Sequence, residues 1–277
     1  MKHFVRRFVR NRAAVLGGAW VSILLLVALG APWLAPMDPL RVGRDAFAPP
    51  GSPYLFGTDN QGRDILSGVV FGTRISLLVG VLAALTSSSI GIVVGAIAGF
   101  YGAWLDGLLM RLTELFQIMP RLFLAMLIIA VFGSGIERIV LVIGILGWPA
   151  MARLIRAGVL SLKEQQFAEA ARAIGVGNAR LCFRQILPNA LPPAIVVGSL
   201  DIAQAILMEA GLSFFGLGDR NLVSWGTMLF NAQTFLRHGW WLTVFPGAAI
   251  FFTVMAFNLL GDGVNDALNP KLRARGA

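Results

Sequence analysis

The segment Glu169-Ala-Ala-Arg-Ala-Ile-Gly175, continuing to Ile186-Leu-Pro-Asn189, separates two long apolar stretches and decides the fold of the chain. Its pattern predicts a short helix, a glycine break, a second short helix and a proline stop. We expect Gly175 to end the first helix in a left-handed cap, Asn178 to cap the second helix and Pro188 to end it. A membrane chain that carries such a polar module is expected to dock a partner there.

Apolar side chains of the first short helix recur at the spacing of one helical face. They are Phe167, Ala170, Ala171 and Ile174. Together with Glu169, which can pair with a basic residue, this face is the expected docking surface for a partner protein. In an alternative interpretation the helix lies on lipid headgroups, where Arg172, Arg180 and Arg184 would meet anionic lipid. The face is small and rich in alanine, which favours a protein groove.

The composition is that of a membrane protein, since 57% of the residues are hydrophobic, 13% are charged and the mean hydropathy is +0.75. Six apolar segments are long enough to cross a bilayer as helices, which predicts an all-α polytopic membrane protein. The first exceeds the apolar length of a signal peptide, so we interpret it as a retained anchor. The predicted spans are Ala13–Ala35, Ile75–Phe100, Leu105–Phe132, Ile136–Ala157, Leu191–Leu212 and Trp240–Leu260.

Basic residues set the predicted orientation. With the N-terminus inside, 15 Lys and Arg residues lie on the inner flanks and 7 on the outer flanks, as the positive-inside rule requires. The predicted organisation is a cytoplasmic N-terminus (1–12), a first transmembrane helix (13–35), an extracytoplasmic loop (36–74), a five-helix core (75–263) that includes a cytoplasmic loop (158–190), and a cytoplasmic tail (264–277).

Several kinds of site are excluded by the sequence. The single cysteine, Cys182, cannot form an intrachain disulfide, and with two histidines far apart it offers no ligand set for a metal. No Gly-x-x-x-x-Gly-Lys-Ser/Thr phosphate loop is present, so nucleotide binding through that motif is excluded. We predict no catalytic residue and no resident cofactor or metal. Membrane flanks explain the net charge of +9, so no nucleic acid is expected as a partner.

Small residues repeat along the second predicted span. Gly91, Gly95 and Gly99 lie four residues apart and form a flat stripe that lets another helix approach closely. We predict that this stripe serves helix packing rather than chemistry.

Polar residues inside the spans are candidates for a solute path, because an ionisable side chain that faces lipid costs several kcal/mol. The candidates are Arg121, Asp201, Gln204, Met208 and Glu209. Arg121 lies beside Pro120, where a kink is expected, while the others lie in the fifth span, with Glu209 about 80° from Asp201 around the helix. Two interpretations are open. The charges line the passage, or Arg121 forms an internal salt bridge with an acid of the fifth span.

Short motifs along almost the whole chain resemble those of one transporter family. They are Gly57-Thr-Asp59, Gly62-Arg-Asp64, Gly72-Thr-Arg-Ile-Ser76, Glu169-Ala-Ala171 with Gly175, Ile186-Leu-Pro-Asn189, Ser213-Phe-Phe-Gly-Leu-Gly218, Ser224-Trp-Gly226 and Phe257-Asn-Leu-Leu-Gly-Asp-Gly263. The family is that of the second permease of dipeptide, oligopeptide and nickel importers of the ATP-binding-cassette class. The chain departs from it at Gln185, where the general motif often has isoleucine. It departs again between Gly218 and Ser224, where the family usually has a proline-bearing connection.

The resemblance implies a multi-pass permease in the inner membrane of a prokaryote, which forms a translocation path with a paralogous permease. It also implies two ATPase subunits or domains that hold ATP and magnesium, and an extracytoplasmic substrate-binding protein. The segment at Glu169 resembles the EAA loop, which meets the ATPase in that family. The residues expected to couple to the ATPase are Phe167, Glu169, Ala170, Ala171, Ile174 and Gly175.

Two other classes of membrane protein are kept as alternatives. A stand-alone ion-coupled transporter would use intramembrane acids such as Asp201 and Glu209, and inverted sequence repeats would support it. A membrane scaffold without transport would carry no buried charges. The cargo of an importer stays open among dipeptides, longer peptides, glutathione-like compounds, opines and metal complexes.

Labelling of a single cysteine tests the predicted orientation. In an Asn60→Cys variant that also carries Cys182→Ser, we expect the new thiol to react with a membrane-impermeant maleimide added outside the cell, because the loop 36–74 is predicted to lie there. Labelling of this introduced thiol only from the cytoplasmic side would overturn the orientation.

Overall fold

The computed structural model describes residues 8–268, and within them the chain forms helices and no β-strand. Residues 1–7 and 269–277, which include parts of the predicted N-terminal segment and tail, lie outside the described residues. The helices are α1 (Arg12–Leu34), α2 (Ile65–Tyr101), α3 (Ala103–Ile118), α4 (Arg121–Phe132), α5 (Ile136–Lys163), α6 (Gln166–Ala173), α7 (Asn178–Arg180), α8 (Leu187–Ala190), α9 (Pro192–Leu212), α10 (Trp225–Ala232) and α11 (Trp241–Leu268).

Five of these helices, α1, α2, α5, α9 and α11, are long and apolar enough to cross a membrane, and α3 with α4 forms a sixth candidate span. This confirms the predicted all-α polytopic fold. The third span is not the single helix predicted for Leu105–Phe132, because α3 and α4 are bent by 84°. Pro120 explains the break, since its ring disfavours helical geometry in the preceding residue, and Met119 is extended with φ −89° and ψ 138°.

The helix α2 begins at Ile65 rather than at the predicted Ile75, so the connection before it ends at Asp64 and not at residue 74. Asp64 caps the helix by accepting hydrogen bonds from the backbone N–H of Ser67 at 2.8 Å and from its hydroxyl at 2.6 Å. Polar and small residues interrupt the apolar pattern of this first part. The indole N–H of Trp225, from α10, donates to the Val69 carbonyl at 3.0 Å and holds it in place.

The glycine stripe of α2 lies against the backbone of α5. A Cβ at Gly91 would lie 2.8 Å from the Trp148 carbonyl oxygen, and one at Gly99 would lie 2.8 Å from that of Arg156. At Gly95 a Cβ would strike the Ala152 carbonyl. The two backbones therefore touch along the stripe, at a separation that no larger side chain permits.

The long connection between α1 and α2 is anchored on the start of α11. Thr58 is fully buried, and its carbonyl accepts a hydrogen bond of 3.1 Å from the indole N–H of Trp241. Phe56 stacks on Phe245 with ring centroids 4.0 Å apart. The Gly57-Thr-Asp59 motif thus holds an ordered lid in place over this end of the bundle.

Replacement of Gly95 by valine tests the packing of α2 on α5. We expect Gly95→Val to lower the stability of the purified protein by about 1 to 3 kcal/mol or to prevent its folding, because the side chain has no room against α5. The measurement is the apparent Tm in detergent. Gly107→Val is the matched control, since a Cβ at Gly107 would have no atom within 4 Å. An equal Tm for both variants would refute the close packing.

Candidate functional site

The short helix α6 has Ile174 as its C-cap, and a hydrogen-bonded reversal follows at Gly175. The backbone N–H of Gly175 donates to Arg172 O at 3.0 Å, and that of Val176 donates to Ala171 O at 3.0 Å. These two bonds define a Schellman motif, which needs a left-handed residue between the helix and the following chain. Gly175 has φ +83°, as the sequence predicts. The chain therefore reverses direction here because glycine carries no Cβ.

The face that α6 turns outward is narrower than predicted. Phe167, Ala170 and Ile174 are exposed, with Ile174 81% accessible, and Glu169 is also exposed. Ala171 was expected on the same face, but it is buried, because its small side chain lets α6 pack onto the rest of the chain. Its neighbours in that core are Ala168, Leu181, Cys182 and Ile186.

The second part of the module departs from the prediction at both ends. Asn178 is the first helical residue of α7 rather than its cap, because Gly177 is already extended and takes the N-cap position. Pro188 lies inside a continuous helical run and does not end it. A π-helical segment, Leu181–Ile186, precedes the proline, and the N–H of Leu187 reaches back to the Cys182 carbonyl. This wider turn accommodates a residue that cannot donate.

Cys182 lies in the core behind α6 and is fully buried. Burial raises the pKa of its thiol, because the thiolate would lose its hydration. The natural cysteine is therefore a poor target for thiol reagents.

A cavity of about 280 Å³ opens among α2, α4, α5 and α9 in the membrane-spanning part of the chain. Four of the five residues predicted for the solute path line it. They are Arg121, Asp201, Gln204 and Met208. The bend after α3 is what brings Arg121, the first residue of α4, to the cavity. Ser87 and Gly147 contribute to the wall where α2 meets α5.

Arg121 and Asp201 face this cavity without forming an ion pair. Among residues 8–268 no acid lies within 4.0 Å of the Arg121 guanidinium, so the internal salt bridge is not formed in this conformation. Asp201 Oδ2 is buried and has no hydrogen-bond partner in the described part of the chain. The cavity therefore presents one cation and one carboxylate with unused hydrogen-bonding capacity.

Glu209, the fifth predicted residue, lies elsewhere. It is 2% exposed and accepts a hydrogen bond of 2.7 Å from the Ser213 hydroxyl, with Ser76 and Ser224 nearby. The rotation of about 80° from Asp201 turns it away from the cavity and towards the junction of α2, α9 and α10. The structure thus separates Glu209 from the other four candidates.

An ion pair between α3 and α5 was missed in the sequence. Asp106 accepts two hydrogen bonds from the Arg156 guanidinium, from Nε at 2.5 Å and from Nη2 at 2.6 Å. The available signal was an acid at the start of an apolar span. Its partner lies fifty positions further along the chain, which no local pattern reveals.

Comparison with known families identifies the class of this protein. A family model described as "Binding-protein-dependent transport system inner membrane component" matches residues 91–274. The chain belongs to this family. A second model, the N-terminal TM domain of oligopeptide transport permease C, matches residues 1–50.

Curated relatives of this permease family are similar over almost the whole chain. The di/tripeptide transport system permease protein of Pseudomonas aeruginosa (strain UCBPP-PA14) is 39% identical over 99% of this chain and 93% of its own length. A glutathione transport system permease protein of Pectobacterium atrosepticum is 38% identical, covering 99% and 92%. The dipeptide transport system permease protein of Haemophilus influenzae is also 38% identical, covering 99% and 95%.

Membership of the family settles the class of function. The chain is a membrane-spanning permease subunit of an importer, because the family consists of transport components that depend on a binding protein. The relatives named above are likewise permease proteins, so the chain is a transport subunit and not an enzyme. This decides against the stand-alone ion-coupled transporter and the inert scaffold.

Substitution at Gly175 tests the role of the reversal after α6. We expect Gly175→Val to cost about 1 to 3 kcal/mol of local strain and to reduce ATP-driven uptake, because a β-branched residue resists a positive φ. Gly177→Val is the matched control, since Gly177 has φ −63° and both positions have no atom within 4 Å of a Cβ. Normal uptake by the Gly175→Val protein, inserted at the control's level, would contradict the expected role.

Proposed function

We propose that this chain is one of two paralogous permeases of an ATP-driven importer for peptides or related small zwitterionic solutes. The observation that carries the proposal is the membrane cavity in which Arg121 and Asp201 face the same space without pairing. A free α-amine and a free α-carboxylate are the groups that such a pair would recognise. The named relatives transport di- and tripeptides, dipeptides and glutathione, which all carry both groups.

The size of the cavity fits one half of a solute path. A volume of about 280 Å³ is at the lower end of the roughly 300 to 1,000 Å³ of small-molecule sites. Charged side chains that faced lipid would cost several kcal/mol, so the open side of the cavity needs a protein cover. We assign this cover to the paralogous permease, which would complete the passage.

Energy for transport must come from other chains, because this one holds no nucleotide phosphate loop. We propose that two ATPase subunits or domains, with ATP and magnesium, bind the outward face of α6. Phe167, Ala170 and Ile174 would fill a groove there, and Glu169 would pair with a basic residue. Closure of the ATPases would then move α6 and switch the access of the cavity between the two sides.

The proposed location is the inner membrane of a prokaryote, with both termini and the module 158–190 in the cytoplasm. The extracytoplasmic binding protein would approach the opposite end, where the lid over α11 lies. The lipid bilayer is the remaining neighbour, and it would contact the many exposed apolar side chains of α1.

Replacement of Asp201 tests the proposed function. In proteoliposomes that contain the complete complex, binding protein and ATP, we expect uptake of radiolabelled dialanine by the wild type. Asp201→Asn is expected to reduce uptake of both dipeptides, because a hydrogen bond to a charged group contributes about 1.5 to 3 kcal/mol. The loss is expected to be larger for lysyl-alanine, about tenfold, because its second ammonium also loses the attraction of the carboxylate. Asp262→Asn, at an exposed carboxylate of α11 that does not line the cavity, is the control.

Two outcomes would count against this assignment. Absence of ATP-dependent uptake of any small peptide by the wild-type complex would refute a peptide cargo. An equal loss for both dipeptides that is restored by neutralising Arg121 as well would show that the two residues form a structural salt bridge instead.

A further inference from the structure

The ion pair between Asp106 and Arg156 lies at the end of the bundle that carries α6. Both carboxylate oxygens bind the guanidinium, Oδ1 to Nε and Oδ2 to Nη2, in the two-pronged arrangement that fixes orientation as well as distance. The side chains are only 33% exposed for Arg156 and 19% for Asp106. Water and salt therefore screen this pair less than a pair on an open surface.

Besides the ion pair, α3 is held on α5 by Phe116, whose ring meets that of Trp148 edge-on with centroids 5.5 Å apart, but little of the helix is buried. Thr113 is its one buried residue. The helix starts at a sharp corner, where Gly102 and Ala103 both have positive φ, +65° and +48°. A helix that leaves such a corner with little buried surface can swing about it. The ion pair to Arg156, one turn into α3, opposes that movement.

The end of α5 links the same corner to α6 through a hydrogen bond, a charge interaction and backbone packing. Arg172 of α6 donates a hydrogen bond of 3.1 Å to the carbonyl of Lys163, the last residue of α5. The Lys163 ammonium lies 3.8 Å from the position of a Cβ on Gly102, and its charge acts favourably on Asp106. The backbone of Arg156 in turn packs against Gly99 at the end of α2. The end of α5 thus joins α6 to the start of α3, through the hydrogen bond from Arg172 and the charge of Lys163.

The far end of α3 leads directly to the membrane cavity. The helix has 16 residues, or about 24 Å, and ends at Ile118. Met119 and Pro120 then turn the chain by 84° into α4, whose first residue is Arg121. Any swing of α3 about its corner therefore moves the guanidinium that lines the cavity.

We propose that Asp106 and Arg156 are positioning residues that transmit movement of α6 to α3 and so set the place of Arg121 in the cavity. Neither residue contacts the cargo. The inference rests on the proposed function, in that it requires uptake driven by ATPases docked on α6. Loss of the ion pair between Asp106 and Arg156 would uncouple ATP hydrolysis from uptake without removing the cavity itself.

Charge reversal provides the test, in proteoliposomes with the complete complex and radiolabelled dialanine. The measured quantity is the dipeptide taken up per ATP hydrolysed. We expect Asp106→Asn and Arg156→Ala each to lower this ratio about tenfold, as for a typical coupling between two sites, while ATP hydrolysis continues. The double variant Asp106→Arg with Arg156→Asp, which restores an ion pair in the opposite sense, is expected to recover a large part of the ratio. Arg153→Ala, at an exposed arginine of the same helix, is the control and should leave the ratio unchanged.

The possible results separate this inference from the proposed function. Wild-type uptake combined with normal ratios in both single variants would overturn the inference alone, whereas a wild type without ATP-driven uptake would overturn the function. If a single variant does not assemble, Arg156→Lys keeps the charge and loses the two-pronged contact. A reduced ratio in Arg156→Lys supports the positioning role, and a normal ratio contradicts it. An assembled charge-reversed protein that fails to regain coupling also contradicts it.

Discussion

Lipid tails are as apolar as leucine, so helices within a bilayer gain little from burying apolar surface and are held by the fit of their backbones. In this chain the fit is made between α2 and α5, where three glycines of α2 rest on carbonyl groups of α5. The same two helices form part of the wall of the membrane cavity, at Ser87 and Gly147. Because α5 continues to Lys163 and leads directly into α6, one tightly packed pair of helices supports both the cavity and the segment that carries α6.

Three acidic residues of the apolar segments have different surroundings, and the composition of the chain does not reveal this difference. Asp106 is neutralised by a two-pronged contact with Arg156. Glu209 is buried at a helix junction and bonded to Ser213. Glu209 Oε2 and Asp201 Oδ2 both lack a hydrogen-bond partner in residues 8–268, but Asp201 lines the larger cavity that Arg121 also faces. An unpaired charge in such a place is costly, which favours a carboxylate kept for an incoming group over one that stabilises the fold.

The segment that carries α6 presents a narrow outward face because its small residues are buried. Ala168 and Ala171 let α6 approach the core closely, so the larger side chains of Phe167 and Ile174 are left outside. The Schellman motif at Gly175 and the π-helical turn before Pro188 then return the chain to α9 without an unsupported loop. A segment that transmits movement must be packed firmly on the core, because a loosely held segment would deform instead.

The sequence by itself determined the class of fold, the apolar segments that can span a membrane, the left-handed glycine after α6 and the stripe that packs α2 on α5. These features depend on the length of an apolar segment, on the local spacing of residue types and on backbone geometry. Residues that are close together in the sequence fix all three. Contacts with distant parts of the chain decided three other features. These are the face occupied by Ala171, the start of α2 at Ile65 and the separate place of Glu209. The same holds for the cavity between Arg121 and Asp201 and for the pair of Asp106 with Arg156. Only the tertiary structure could fix them, because the direction in which a side chain faces depends on which helix lies opposite, and that partner is remote in sequence.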